Sequence, residues 1–304
     1  VSAQPLPACS RCDELVGPHD RFCEACGMRR PDPRDHVEID APGAAAVSDR
    51  GHRHQHNEDA VAVRVLEQGR GVAAVLAVVC DGVSHGPRPD LASHVAAEAG
   101  ADALVTLLRG PGEPEAATRG AVRAAADAVA ALADRPNTPG SPACTFVSAV
   151  LAGRALTVGW VGDSRAYWIP SEPATPGVQL TEDDSWLAAT VAAGTMSYGQ
   201  AAADRRAHAI TAWLGADAGQ VRPRVTTVHP GGPGAVLVCT DGLWNYLDSP
   251  AQLAAALPPD AANAPLRAAR QLVRTALRRG GRDNVTVAVL PVAGPPETLE
   301  EDTH

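Results

Sequence analysis

Between residues 43 and 293 the chain alternates apolar runs with short polar turns. Runs rich in Val, Ala and Leu cover Val72–Cys80, Ala155–Val161, Ala235–Cys239 and Val285–Leu290. Runs this short, bounded by turn residues, predict buried strands. A helical period marks Leu91–Leu108, with Asp90 ahead of it as a candidate cap, and Ala116–Leu132. Ser249-Pro250 opens a third helix over Ala251–Leu257, and Pro265–Arg279 is an amphipathic fourth that stops at Gly280-Gly281. Strands and helices in such blocks predict two stacked sheets covered by helices. Tyr198–Leu214 fits neither period and is expected to be a mobile flap. Met28–Pro42, with three prolines and scattered charge, reads as a linker. The expected organisation is a small module at 1–30, a linker at 31–42, one large domain at 43–293 and an acidic tail at 294–304.

All 26 basic residues are arginine. The absence of lysine excludes Schiff-base and Walker-type lysine chemistry. A net charge of −9, with no clustering of basic and aromatic residues, argues against nucleic acid as the main partner. The longest apolar run, Val72–Cys80, is far short of a membrane span, and Val1–Pro7 lacks a basic region leading into an apolar one. A cytoplasmic protein without a membrane partner is expected.

Four of the seven cysteines form the pairs Cys9-x-x-Cys12 and Cys23-x-x-Cys26, and Gly27 follows the second. Each pair is a hook able to place two thiolates on one tetrahedral ion, which predicts a structural zinc ribbon. Disulfides are the rival reading, disfavoured without a secretion signal. A module this small cannot bury a sufficient core, so the metal would supply its folding free energy. Residues 1–35 hold five Arg against six acidic residues, a balance that suits docking to a protein better than gripping nucleic acid. Cys80, Cys144 and Cys239 are single and flanked by apolar residues, as core cysteines are.

The polar turns carry the candidate chemistry. They read His56-Asn57-Glu58-Asp59, Cys80-Asp81-Gly82, Gly162-Asp163-Ser164-Arg165, Thr240-Asp241-Gly242 and Arg282-Asp283-Asn284. A lone Asp-Gly is usually a turn and nothing more. Five such aspartates at strand ends leave two readings open: a set of turns, or carboxylates that meet on one rim around Mg²⁺ or Mn²⁺.

With Ser48-Asp49-Arg50-Gly51 ahead of them and Leu243-Trp244 and Val285-Thr286 as extensions, these segments together resemble the metal-dependent type 2C protein phosphatases, the PPM family. The likeness spans roughly residues 44–292. It implies an α+β fold, a four-layer α-β-β-α sandwich, here preceded by the zinc ribbon. It also implies hydrolysis of phosphoserine and phosphothreonine in proteins by water activated between two Mn²⁺ or Mg²⁺ ions. By the resemblance, Asp81 is shared by both metals, Gly82 offers its carbonyl, and Asp241 and Asp283 hold the other ion. Asp59 and Glu58 are similar to the acids of the family's first motif, and Asp163 to the carboxylate that helps hold a third, weaker ion in bacterial members. The implied partners are phosphorylated proteins, a bacterial serine/threonine kinase or its targets among them.

Three departures qualify the likeness. Where the family has a phosphate-gripping arginine, this chain has His54, with Arg53 and Arg50 nearby as substitutes. Imidazole lacks the permanent charged fork of guanidinium, so phosphate affinity is expected to be lower or pH-dependent. The loop after Gly82 reads Val83-Ser84-His85-Gly86-Pro87 in place of Gly-Gly, and the leaving-group acid falls between His85 and His54. The contrasting reading, favoured only by His54, is an inactive phosphatase-fold scaffold that binds a partner through the zinc ribbon.

Overall fold

The computed structural model describes residues 12, 14–17, 20, 22–28, 32–69, 71–133 and 140–294. Cys9 and residues 295–304 of the expected acidic tail lie outside them. After a 3₁₀ turn at Pro33–Asp35 come β1 (His36–Ala41), β2 (Ala44–Asp49), β3 (Asp59–Gln68) and β4 (Gly71–Asp81). Helices α1 (Pro89–Leu108) and α2 (Pro114–Ala130) follow, then β5 (Ala143–Cys144), β6 (Phe146–Ala152), β7 (Ala155–Val161), β8 (Arg165–Pro170) and β9 (Val178–Gln179). The short helices α3 (Trp186–Ala192) and α4 (Tyr198–Ala202) precede β10 (Leu214–Gly215), β11 (Arg224–Val228) and β12 (Gly234–Cys239). The chain ends with α5 (Asp241–Trp244), α6 (Pro250–Ala256), α7 (Pro265–Arg278) and β13 (Val285–Val292).

Two antiparallel sheets carry the fold, one ordered β1-β2-β13-β12-β8-β9 and the other β11-β7-β6-β4-β3. The apolar runs are continuous because both faces of the central strands are buried. In β4, Val75, Ala77 and Val79 face the other sheet, where they meet Val236, Val238 and Leu290. Its alternate residues Leu76, Val78 and Cys80 face α1 and α2 through Ala96, Ala101, Leu104 and Val122. On the far side Leu237, Val287 and Val289 pack against Leu272 and Val273 of α7. Three apolar layers thus separate four layers of structure, the α-β-β-α sandwich expected.

Local differences from the sequence reading have local causes. Residues 36–41, expected in the linker, form edge strand β1, paired with β2 from His36↔Asp49 to Ala41↔Ala44. Its exposed positions are His36, Glu38 and Asp40, and on an edge strand that charged alternation hides the strand within a polar segment. Asp90 is not the cap of α1. Pro89 starts the helix earlier, Arg88 is the N-cap with φ 52, and Asp90 lies in the first turn, 3.2 Å from Arg34 Nη2. The segment expected as a flap contains α4, a helix too short to display a period, closed by a capping box between Ser197 and Gln200.

Candidate active site

The strand ends meet on one rim. Asp59 opens β3 directly opposite Asp81, which closes β4. Asp81 is tied down through its backbone, its N–H donating to Thr145 Oγ1 at 3.0 Å and its carbonyl accepting from Thr145 N at 2.8 Å. Asp241 opens α5 at the end of β12, and Asp283 lies in the turn before β13. The turns interlock through glycines. A Cβ on Gly242 would lie 1.8 Å from the carbonyl oxygen of Asn284, one on Gly51 2.1 Å from that of Asp283, and one on Gly82 2.5 Å from that of Pro89. These contacts, which no side chain could occupy, account for the glycine in each motif. Asn284 clamps the first motif, accepting from Glu58 N at 2.7 Å and donating to the carbonyls of Arg50 and His56 at 2.8 and 3.0 Å.

Asp59 is held from the opposite sheet. Its Oδ2 accepts from the hydroxyls of Thr240 and Thr286, each at 2.8 Å, and Thr286 also bonds Ser48 Oγ at 2.7 Å. Its Oδ1 is buried with no hydrogen-bond partner, as is Oδ1 of Asp241. Buried carboxylate oxygens left bare are costly unless a cation takes them.

The electrostatics agree. Burial pushes Asp81 well above the ordinary carboxylate range, and Asp59, Asp241, Asp163 and Asp283 push it further. Asp59 is likewise raised well above that range by burial, against its two hydroxyl bonds and with help from Asp283 and Asp241. Asp163 is pushed up to about 8 by burial and by Asp241 and Asp183. Asp241 reaches about 6 through burial and Asp283, although hydrogen bonds from Asn245 and Asp81 and the charge of His54 oppose the rise. A carboxylate that accepts a hydrogen bond from another can do so only if the pair shares a proton. Such mutual suppression of charge is what a divalent cation relieves, so the donor set fits hard metal ions. Among the described residues only Cys12, Cys23 and Cys26 bring three ligand atoms within 4.8 Å of one another.

The expected site residues divide. Asp59, Asp81, Asp163, Asp241 and Asp283 are brought together, with His54 Nε2 3.1 Å from Asp283 Oδ1. The Glu58 carboxylate instead accepts from Ser84 Oγ at 2.5 Å. Gly82 is buried beside Glu58, its N–H donating to the Glu58 carbonyl at 3.1 Å. Arg50 donates to the carbonyl of His54 and lies 3.5 Å from Asp35, whereas Arg53 and His85 are exposed. Sequence reasoning missed the bracing hydroxyls of Thr240, Thr286 and Ser48. It named Trp244 in a motif but gave it no role: the indole N–H donates to the Asp163 carbonyl at 3.0 Å while the Arg165 guanidinium lies 3.8 Å from its ring centre. Arg165 in turn grips Asp183 with a fork of 2.9 and 2.7 Å.

In the N-terminal module Cys12 and Cys23 stand 3.5 Å apart, Sγ to Sγ, too far for a disulfide. Two thiolates on a tetrahedral zinc would be separated by roughly 3.8 Å. Gly27, at φ 68, donates to the Cys23 carbonyl and closes the second hook. The remaining cysteines are core: burial pushes the Cys239 thiol up to about 12 and raises Cys80 well above its usual range.

A family model described as protein phosphatase 2C matches residues 49–277. The serine/threonine protein phosphatase PstP of Mycobacterium tuberculosis is 30% identical over 148 residues, which cover 49% of this chain and 27% of that protein. The chain thus spans about a quarter of this relative's length. The crystal structure of the M. tuberculosis serine/threonine phosphatase PstP/Ppp superimposes with a TM-score of 0.63 at 28% identity, covering 82% of this chain and 98% of that one. The catalytic domain of PstP in complex with two manganese ions gives a TM-score of 0.61 at 28% identity, covering 82% and 97%.

Proposed function

The chain belongs to the protein phosphatase 2C family, and from that premise we propose that it is a metal-dependent protein serine/threonine phosphatase acting on phosphoserine and phosphothreonine in bacterial signalling proteins. The observation that carries this reading is the cluster of Asp59, Asp81, Asp163 and Asp241, buried beside Asp283 with their pKa values raised, around carboxylate oxygens that have no hydrogen-bond partner. Two Mn²⁺ or Mg²⁺ ions would be held by Asp81, the Gly82 carbonyl, Asp241 and Asp283, with Asp59 and Asp163 completing the acidic wall and offering a third, weaker position. Bound there, divalent cations lower the pKa of water and offset charge on a transferring phosphoryl group.

The chain's own residues do the rest. Thr240 and Thr286 fix one Asp59 oxygen so that the other faces its neighbours in a single orientation. Arg50 is committed to the His54 carbonyl and Asp35, which leaves Arg53 and His54 to meet the incoming phosphate. Arg53 brings permanent charge from an exposed position, and His54 brings an imidazole N–H already directed at the rim through Asp283. His85, exposed on the loop after Gly82, is one candidate to protonate a departing alkoxide, and His54 is the other. Ahead of the sandwich, Cys12, Cys23 and Cys26, with Cys9 as the fourth ligand, would hold a structural zinc ion.

The test is phosphate release from serine- and threonine-phosphorylated peptides by the purified full chain. Release with Mn²⁺ and none with EDTA is expected. No release in Mn²⁺ or Mg²⁺ from any peptide would refute the reading.

A further inference from the structure

Asp32–Asp35 lies N-terminal to the segment shared with the family and four residues after Met28 of the cysteine module. It is more than a tether. Its backbone carbonyls take hold of both ends of the turn that carries His54: Asp35 O accepts from Arg50 N at 2.8 Å, and Arg34 O accepts from Asn57 Nδ2 at 3.0 Å. From these two grips the site is one contact away. Arg50 donates to the carbonyl of His54, and the Asn57 side-chain oxygen accepts from Asp59 N at 3.3 Å.

The segment is built to stay in place. Asp32 Oδ1 accepts from Arg34 N at 2.9 Å, Asp35 Oδ2 accepts from Asp32 N at 3.2 Å, and Pro33 fixes the turn between them. Its outer side is fastened to α1 through Arg34 and Asp90, 3.2 Å apart. Next in the chain, His36 Nδ1 lies 2.7 Å from Asp49 Oδ2, and the other oxygen of Asp49 accepts from Gly51 N at 2.8 Å. Arg50 Nε is buried without a hydrogen bond, and the Asp35 carboxylate lies 3.5 Å from it.

We propose that Asp32–Asp35 is a strap that positions the phosphate-facing turn, with Asp35 as its positioning residue, so that the segment leading out of the cysteine module sets how well the site binds substrate. This rests on the phosphatase reading above. Asp35 acts through Arg50 and the turn.

The experiment compares full-length wild type, Asp35→Ala and Asp35→Asn. Two readouts are used: steady-state hydrolysis of p-nitrophenyl phosphate in Mn²⁺, and amide hydrogen exchange of the peptide covering residues 50–58. Asp35→Ala is expected to raise KM about fivefold with kcat within about twofold, and to speed exchange in 50–58 by a similar factor. Asp35→Asn, which keeps an acceptor oxygen for Asp32 N, should recover at least half of both effects. Unchanged exchange and unchanged KM would overturn the proposal. So would faster exchange with KM unmoved, which is a merely structural role, or a fall in kcat alone. If wild type hydrolyses nothing, the phosphatase reading fails by itself, and exchange in 50–58 still decides whether the strap holds the turn.

Discussion

Removing metal should make the protein pH-sensitive in a direction unusual for acidic groups, and Asp163 shows why. Its folded-state pKa is about 8 against an ordinary 3.8. A folded acid with a raised pKa keeps a proton that the unfolded chain has already shed. Stability therefore falls as pH rises above 3.8, and stops falling once pH passes about 8 and both states are ionised. Each unit in that window costs about 1.4 kcal/mol. From pH 6 to pH 8 the loss is roughly 2 kcal/mol once partial ionisation near 8 is allowed for. In a domain of this size roughly 1 kcal/mol moves Tm by 2–4 °C, so a drop of about 4–8 °C is expected. Scanning fluorimetry in EDTA at both pH values would measure it, with Asp163→Asn as the control. The amide keeps the shape without the proton, so the variant should lose distinctly less. Saturating Mn²⁺ should flatten the wild-type slope, because a cation stabilises the ionised carboxylates. A wild-type Tm in EDTA that does not fall between pH 6 and 8, or a variant that falls in parallel, would refute the reasoning.

Asp81→Asn and Asp241→Asn should each reduce Mn²⁺-dependent phosphate release at least a hundredfold while leaving the circular dichroism spectrum unchanged, since each keeps the side chain's shape and removes a charged ligand. Thr286→Val removes one of the two hydroxyl donors to Asp59 and should cost about 1–3 kcal/mol of stability, read from the urea midpoint, together with weaker Mn²⁺ binding by calorimetry. His54→Arg supplies a charged fork at the rim and should lower KM for phosphopeptide several-fold, most clearly above pH 7, with kcat little changed. If Arg53 already grips the phosphate, Arg53→Ala will raise KM and His54→Arg will not lower it. Metal analysis of the purified chain should find one zinc ion, and Cys23→Ser should lose it while the sandwich keeps its urea midpoint.

Much of the fold was legible because burial on both faces writes itself as uninterrupted apolar runs: β4, β12 and β13 fall within two residues of their expected bounds. The five aspartates were legible for a related reason, since each interrupts or flanks such a run with a carboxylate. What stayed hidden depends on contact across the molecule. Thr240 and Thr286 stand within the motifs with no visible role, and only the packing of one sheet on the other reveals that both donate to Asp59. Edge strand β1 was hidden by its charged outer face. The strap ahead of it was hidden because its grips on Arg50 and Asn57 are made by backbone carbonyls, which every residue has.

The position of β13 has a consequence for the order in which the molecule can be made. This strand, the last among the described residues, lies in the interior of its sheet, hydrogen-bonded on one side to β2 and on the other to β12. Until it is in place β2 has β1 as its sole strand neighbour, the Asp59 carboxylate lacks the Thr286 hydroxyl, and Asn284 cannot clamp the first motif. The two ends of the domain therefore have to find each other before any site exists. Contacts so distant in sequence form late and slowly. A growing chain on the ribosome, or one truncated before residue 284, can hold every aspartate up to Asp283 and still have no organised rim to offer a metal ion.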